Sequence, residues 1–392
     1  MRKPSMFTQT PGVSSVSYRI CNAEHAARRV VALAKRATAA GTFGVGGILM
    51  DRSGHVLAEA INAVADHGEI LDPTAHAERQ LVDWLFQAQA RGLAIAPRDS
   101  VIVSSLDPCA MCAGAILSAG LSCVALAEDS LSGIHVSGQP HRIPPKLWPI
   151  AEATFGLFQV RGRLGTAGHV SPVLSEDVPS QLLNEAELCF QRSLERTRGL
   201  ISGSEDEAAN ASSNAYEISS ENWRNLNAFA GKLPDGVRLP EERVTLEDFS
   251  SHQGAALLRD DGCVLINEAS AVLLAAEGHE QLSPARSSVL ELIRAYVWLR
   301  NSAWIQLRLR LPHQRKCSLI KLRAPDVSAK AVMELGAVGS FFESSHLAHR
   351  LPAFGFLEVA CDPKIDALVA TLPPFYTSVA KITIGRVDTV AA

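Results

Sequence analysis

Residues 74–120, TAHAERQLVDWLFQAQARGLAIAPRDSVIVSSLDPCAMCAGAILSAG, read as helix, buried strand and helix in succession. Thr74 is placed to cap the first helix and Gly92 to stop it. SVIVSSL (100–106) is a short apolar run of strand length, and CAMCAGAILSAG (109–120) starts a second helix directly after Pro108. Upstream, residues 22–38 form an amphipathic helix, with Val30, Val31, Leu33 and Ala34 on one face and Arg28, Arg29, Lys35 and Arg36 mostly on the other. GTFGVGGILMDRSGHVLAEAIN (41–62) follows as a hairpin turning at Arg52-Ser53-Gly54, and AVADHGEILDP (63–73) is a polar loop. Downstream, CVALAE (123–128) is another strand. The order helix, hairpin, helix, strand, helix, strand predicts an α/β fold of three layers, with helices on both faces of one sheet.

The bulk properties narrow the class. At 392 residues the chain has room for two domains. A composition of 47% hydrophobic and 20% charged residues is that of a folded globular protein. The net charge of −4 argues against an overall basic face for nucleic acid. No uncharged apolar run reaches the roughly 18 residues of a membrane span, and the N-terminus lacks the apolar core of a signal peptide. Eight cysteines in a chain this long do not make a disulfide framework, so a reducing, cytoplasmic setting is expected.

The C-terminal half echoes the first. GAALLRDDGCVLINEA (254–269) has the layout of residues 46–60, with Gly262 against Gly54. SPARSSVLELIRAYVWLR (283–300) stands where residues 74–91 stood, and CSLIKLRAPDVSAKAVMELGA (317–337) where residues 100–120 stood. In that alignment His76 and Glu78 become Arg286 and Ser288, and Cys109 and Cys112 become Asp326 and Ala329. The expected organisation is a catalytic unit over 1–175, a helix and linker over 176–222, and a degenerate second unit over 223–392 without a metal site.

Three residues of the first unit have the chemistry of a metal site. His76 begins one helix, and Cys109 and Cys112 begin another as the sole Cys-x-x-Cys pair. Imidazole and thiolate suit Zn2+, and three protein ligands leave a position for water, as a catalytic zinc requires. The positive ends of both helices would lower thiolate pKa and favour an anion at the ion. Glu78, two residues after His76, stands beside such a metal without ligating it. There it can take a proton from the activated water and pass it to a ring nitrogen and a departing amine.

His76-Ala77-Glu78 followed by Pro108-Cys109-Ala110-Met111-Cys112 has the spacing of the zinc deaminase signature. On these residues the chain resembles the cytidine deaminase-like superfamily. Residues 72–78 and 108–116 are most similar to its tRNA adenosine deaminase and guanine deaminase branch. The likeness runs over about residues 22–130. It implies an α/β/α sandwich, one zinc per active unit and hydrolytic loss of an exocyclic amine. It further implies that Asn62, Pro108 and the backbone amides of Ala77 and Glu78 meet the substrate. Nothing after residue 130 matches the basic C-terminal helix of the tRNA enzymes.

The expected function is therefore a zinc deaminase acting on a small nucleobase or nucleoside, preferably a purine. The alternatives are a tRNA adenosine-to-inosine deaminase and, in another class, a non-catalytic zinc-stabilised binding protein. The silent second unit suggests an intramolecular pseudo-dimer, with a homodimer open. RAYVWLRNSAWIQLRLRLPHQRK (294–316) interleaves Arg294, Arg300, Arg308, Arg310, Arg315 and Lys316 with Trp298 and Trp304. It could meet RNA, but reads better as a helix and strand with a solvated charged face.

Overall fold

The computed structural model describes residues 12–66, 69–135, 142–210, 233, 237–239, 262–267, 272–301, 317–321, 326–342, 354–356 and 370–371. Strand β1 (Val13–Arg19) precedes α1 (Ala23–Ala39), β2 (Gly46–Asp51) and β3 (His55–Ile61). Two short strands, β4 (Ala65–Asp66) and β5 (Glu69–Ile70), pair in the following loop. Then come α2 (Ala77–Ala90), β6 (Ser100–Leu106), α3 (Ala110–Ala119), β7 (Ser122–Ala127), α4 (Trp148–Thr154), β8 (Phe155–Leu157), α5 (Ala167–Val170) and α6 (Ser180–Asn210). The second unit holds β9 (Val237–Arg238), β10 (Cys263–Asn267), β11 (Val272–Ala276), α7 (Ser288–Asn301), β12 (Cys317–Lys321), α8 (Ala329–Phe342) and β13 (Phe354–Phe356).

The first sheet has the order β1-β3-β2-β6-β7-β8. Its hairpin turns where Gly54 takes φ +91°, a conformation that only glycine adopts without strain. Helices α1 and α6 pack together, as do α2 and α3, and the sheet lies between the two pairs. The three-layer α/β reading therefore holds. Asn22 caps α1 by accepting from the His25 N–H at 2.8 Å, and Gly120 ends α3 in the left-handed region. Strand β1 was not foreseen. Its alternating half-exposed residues give it the pattern of an edge strand, and it pairs antiparallel with β3. Helix α6 continues to Asn210 through residues read as the start of a linker, and it packs on α1.

The second sheet repeats the first in order, β9-β11-β10-β12-β13, and in sense. β1 and β9 pair antiparallel with β3 and β11; β6 and β12 pair antiparallel with β2 and β10; β7 and β13 pair parallel with β6 and β12. The β2–β3 register shifts between Leu49 and Met50, and the β10–β11 register between Leu265 and Ile266.

This register corrects the sequence alignment of the two halves. The second hairpin is built from 263–267 and 272–276, so Gly262 precedes its first strand instead of turning it. Residues 254–261 lie outside the described residues. The register at the ligand positions also shifts. Ala75 N–H donates to Asp72 O and Arg286 N–H to Ser283 O, both at 3.0 Å. Likewise Gln80 N–H donates to His76 O and Glu291 N–H to Ser287 O. Ser287 and Val289, not Arg286 and Ser288, thus stand at the places of His76 and Glu78. At α8 the contacts between the units set the register: Gly114 meets the Met333 backbone and Gly336 that of Met111, which matches Met111 with Met333. Ala331 and Glu334, not Asp326 and Ala329, thus stand at the places of Cys109 and Cys112. The missing ligands remain missing.

In place of a ligand set the second unit buries an ion pair. Lys321 faces Cys263 in the register where Ser104 faces Gly47. Its Nζ bonds to Glu334, which follows Met333 as Cys112 follows Met111; both side chains are buried.

The two units meet at α3 and α8. A Cβ on Gly114 would collide with the backbone of Met333, and one on Gly336 with the backbone of Met111. The contact is reciprocal, as across a two-fold axis. Gly336→Ala should therefore destabilise the protein by about 1–3 kcal/mol through overpacking. Helix propensity alone would give a gain of about 1 kcal/mol. The shift of the denaturant midpoint decides the sign.

Candidate metal centre

The starts of α2 and α3 converge. His76 is the N-cap of α2 with extended backbone, and Cys109 is the N-cap of α3; neither makes a side-chain cap bond. Their side chains are thus not spent on their own helix ends. Cys112 lies in the first turn of α3 and is fully buried. The donor atoms of His76, Cys109 and Cys112 all lie within 4.8 Å of one another. His76 Nδ1 and Cys109 Sγ are 3.5 Å apart. A tetrahedral ion with N and S ligands at ~2.05 and ~2.3 Å has an N–S edge of about 3.6 Å. The donor set and spacing therefore fit Zn2+, with room for a fourth, non-protein ligand. Among the described residues this is the only such group.

The thiols divide a proton unequally. A hydrogen bond from Cys112, aided by His76, holds the Cys109 pKa well below the usual thiol value against the effect of burial. Burial, then the neighbouring Cys109, pushes Cys112 well above it. A metal bound here would displace the thiol protons.

Glu78 sits in the first turn of α2 and is 3% exposed. Its Oε1 accepts from Ser104 Oγ at 2.6 Å, and its Oε2 accepts from Cys112 Sγ at 3.5 Å. Burial pushes its carboxyl above the usual carboxylate range, with the Ser104 bond opposing. Ser104 comes from the central strand β6, so the sheet fixes the carboxylate beside the metal ligands.

His76, Glu78 and Cys109 line one cavity with Asn62, Leu106, Asp107, Asp129 and the apolar Phe43, Val45, Phe190 and Leu194. Asn62 is buried, and its Oδ1 accepts from Thr42 Oγ1 at 2.6 Å and from Val64 N–H at 3.0 Å. Those donors fix the amide orientation and leave its NH2 for another partner. Pro108 precedes Cys109 and its carbonyl accepts from Ile134 N–H, while Ala77 is the first, buried residue of α2.

The sequence reading missed three parts of this site. Asp107, next to the Pro-Cys motif, is buried and bonds to His135 through Nδ1 at 2.5 Å and the backbone N–H at 2.6 Å. Burial disfavours the charged imidazole, but Asp107 outweighs it and holds the His135 pKa above its ordinary value. Asp129 accepts from Leu131 N–H, Ser132 N–H and Ser132 Oγ, tying the turn after β7 over the cavity. Phe190 reaches the cavity from α6, which is anchored by Ser193 Oγ accepting from Gly44 N–H at 2.7 Å. Only Asp107, one residue from the motif, had a signal in the sequence.

Residues 21–128 match the cytidine and deoxycytidylate deaminase zinc-binding region. Among solved structures, one from a study of A-to-I editing by tRNA:A34 deaminases at the wobble position of transfer RNA is similar at 26% identity, over 28% of this chain and 80% of that one, with a TM-score of 0.24. A guanine deaminase from Nitrosomonas europaea is similar at 18% identity, over 46% of this chain and 88% of that one, with a TM-score of 0.26. No curated protein is matched. The matched region contains His76, Cys109 and Cys112, whose donor atoms lie together.

Metal analysis of the purified chain should give about one zinc, not two, because a catalytic site needs three ligands and the second unit offers Ser287, Ala331 and a Glu334 already paired with Lys321. Cys112→Ala should lose the metal on dialysis.

Proposed function

We propose that the chain is a zinc-dependent hydrolytic deaminase of a small, uncharged nucleobase or nucleoside, with a purine preferred. The observation that carries this is the Glu78 carboxylate, buried beside a three-donor set but outside it. A purely structural zinc has no need of such a group, which weighs against a non-catalytic binding protein. When bound, the ion supplies Lewis acidity and lowers the pKa of a water at its open position toward about 7. Glu78 would take one proton from the attacking water and deliver it to the ring nitrogen as the C–O bond forms, then move the second proton from that oxygen to the amine as the C–N bond breaks and ammonia leaves. Ser104 Oγ holds Oε1 still while this happens. Asn62 donates its NH2 to a ring acceptor, and the Ala77 amide and the Pro108 segment border the ring. Phe43 and Phe190, with ring centroids 6.4 Å apart, supply an apolar wall for a flat heterocycle.

Charge separates this reading from tRNA editing. The cavity is lined by Glu78, Asp107 and Asp129, and by no Lys or Arg among the described residues. Such a lining disfavours phosphate. Of the basic stretch, Arg294 is buried in ion pairs and Arg300 donates to Tyr296 Oη at 3.2 Å. Trp304, Arg308, Arg310, Arg315 and Lys316 lie outside the described residues. We also place the protein in a reducing, cytoplasmic setting, in keeping with its described cysteines being free thiols.

Ammonia release from guanine, adenine, cytosine, their nucleosides and an anticodon stem-loop tests the reading. Release is expected from a small purine. Glu78→Gln should keep zinc and lose at least about 10²-fold in kcat. Activity on the stem-loop alone would transfer the chain to RNA editing; a fully active Glu78→Gln would remove the mechanism.

A further inference from the structure

The two units also meet along a line of buried charge. In the first, Arg79 Nη1 lies 2.6 Å from Asp83 Oδ2, and its Nη2 lies 3.7 Å from Asp72 Oδ2. Two carboxylates share one guanidinium there. In the second, Glu291 Oε1 lies 2.9 Å from Arg286 Nε and 3.2 Å from Arg294 Nη1. Two guanidinium groups share one carboxylate. Neither cluster balances alone, and unpaired buried charge is costly. Together they balance: Arg294 Nε donates to Asp72 Oδ2 at 3.1 Å. Across the pseudo-two-fold axis Ser283 Oγ donates to Asp83 Oδ1 at 2.6 Å. In the register set by the turns, Ser283 is the counterpart of Asp72 and Arg294 that of Asp83, so the two bonds are mates.

Asp72 does more than carry charge. Its Oδ1 accepts from Thr74 N–H at 2.8 Å and Thr74 Oγ1 at 2.7 Å, closing a turn. The Thr74 carbonyl then accepts from His76 N–H at 2.8 Å and from Arg79 Nε. This turn delivers the chain to His76. The His76 N–H is tied to the Thr74 carbonyl within that turn, so the turn sets where the His76 side chain leaves the backbone.

We propose that Arg294 of the degenerate unit is a positioning residue for the metal centre of the first: it completes the charge cluster that locks the Asp72–Thr74 turn and so aims His76. The second unit thereby acts as a resident partner that preorganises a site it no longer contains. This rests on reading His76, Cys109 and Cys112 as the zinc site.

The test uses the full chain and needs no substrate. Zinc affinity is measured by competition with a chromophoric chelator, and amide hydrogen exchange of residues 72–80 is followed in the metal-free protein. Arg294→Gln should weaken zinc about tenfold, the low end of the effect of outer-shell changes at metal sites, and should speed exchange in the turn. Arg294→Lys, which keeps the charge but not the fork, should recover part of both; it carries the test if Arg294→Gln does not fold. Leu274→Ala, a cavity in the second sheet away from the turn, should lower the unfolding midpoint and leave zinc affinity unchanged. Wild-type zinc affinity in a folded Arg294→Gln would overturn the proposal, as would an equal loss in Leu274→Ala. Arg294-dependent zinc binding in a protein that deaminates nothing would sink the deaminase reading and leave the positioning role intact.

Discussion

The beginnings of α2 and α3 meet at one point, and much of the first unit serves to keep them there. Each contributes a positive helix end and donors placed at a cap or in a first turn. Strand β6 runs between them in sequence and sends Ser104 to the carboxylate that follows His76. The remaining walls, Asn62 after β3 and Asp129 after β7, come from strand ends around that junction. The chemistry is concentrated where backbone dipoles and a buried sheet restrict motion most, which is what a preorganised site requires.

What could be read from the sequence was what is local. His76 at a helix start, Glu78 two residues later and a Cys-x-x-Cys pair after a proline form short-range patterns, and the structure brings the His76, Cys109 and Cys112 donors together beside Glu78. Hairpin β2–β3 was legible because Gly54 marks its turn. The counterpart in the second half was misplaced by a strand, since two apolar runs flank Gly262 and only hydrogen-bond register says which pair forms the hairpin. Phe190 and the Asp107–His135 pair were invisible for a different reason. Their partners lie far along the chain, and no spacing rule ties α6 to Phe43 or His135 to Asp107.

The second unit has the same strand order without the ligand set. A metal-free junction still needs its polar positions satisfied. Lys321 and Glu334 provide a cation and its counter-charge at the places of Ser104 and Cys112. The ammonium group does part of the electrostatic task of an ion, without an open coordination site and so without chemistry. That exchange explains how strand order and sense survive in a unit with no thiolate at a ligand position.

The reciprocal packing of the two units has a consequence for how such a molecule can change over generations. In an assembly of two identical chains every interface substitution is made twice, so both mates must tolerate it at once. Joined in one chain, the mates are inherited separately. Asp72 could keep a guanidinium for its partner while the corresponding bond became Ser283 to Asp83. The backbone contact at Gly114 and Gly336 tolerated no such freedom, and there the two sides still match. Covalent linkage allows the two sides to match where space is shortest and to differ where their chemistry differs.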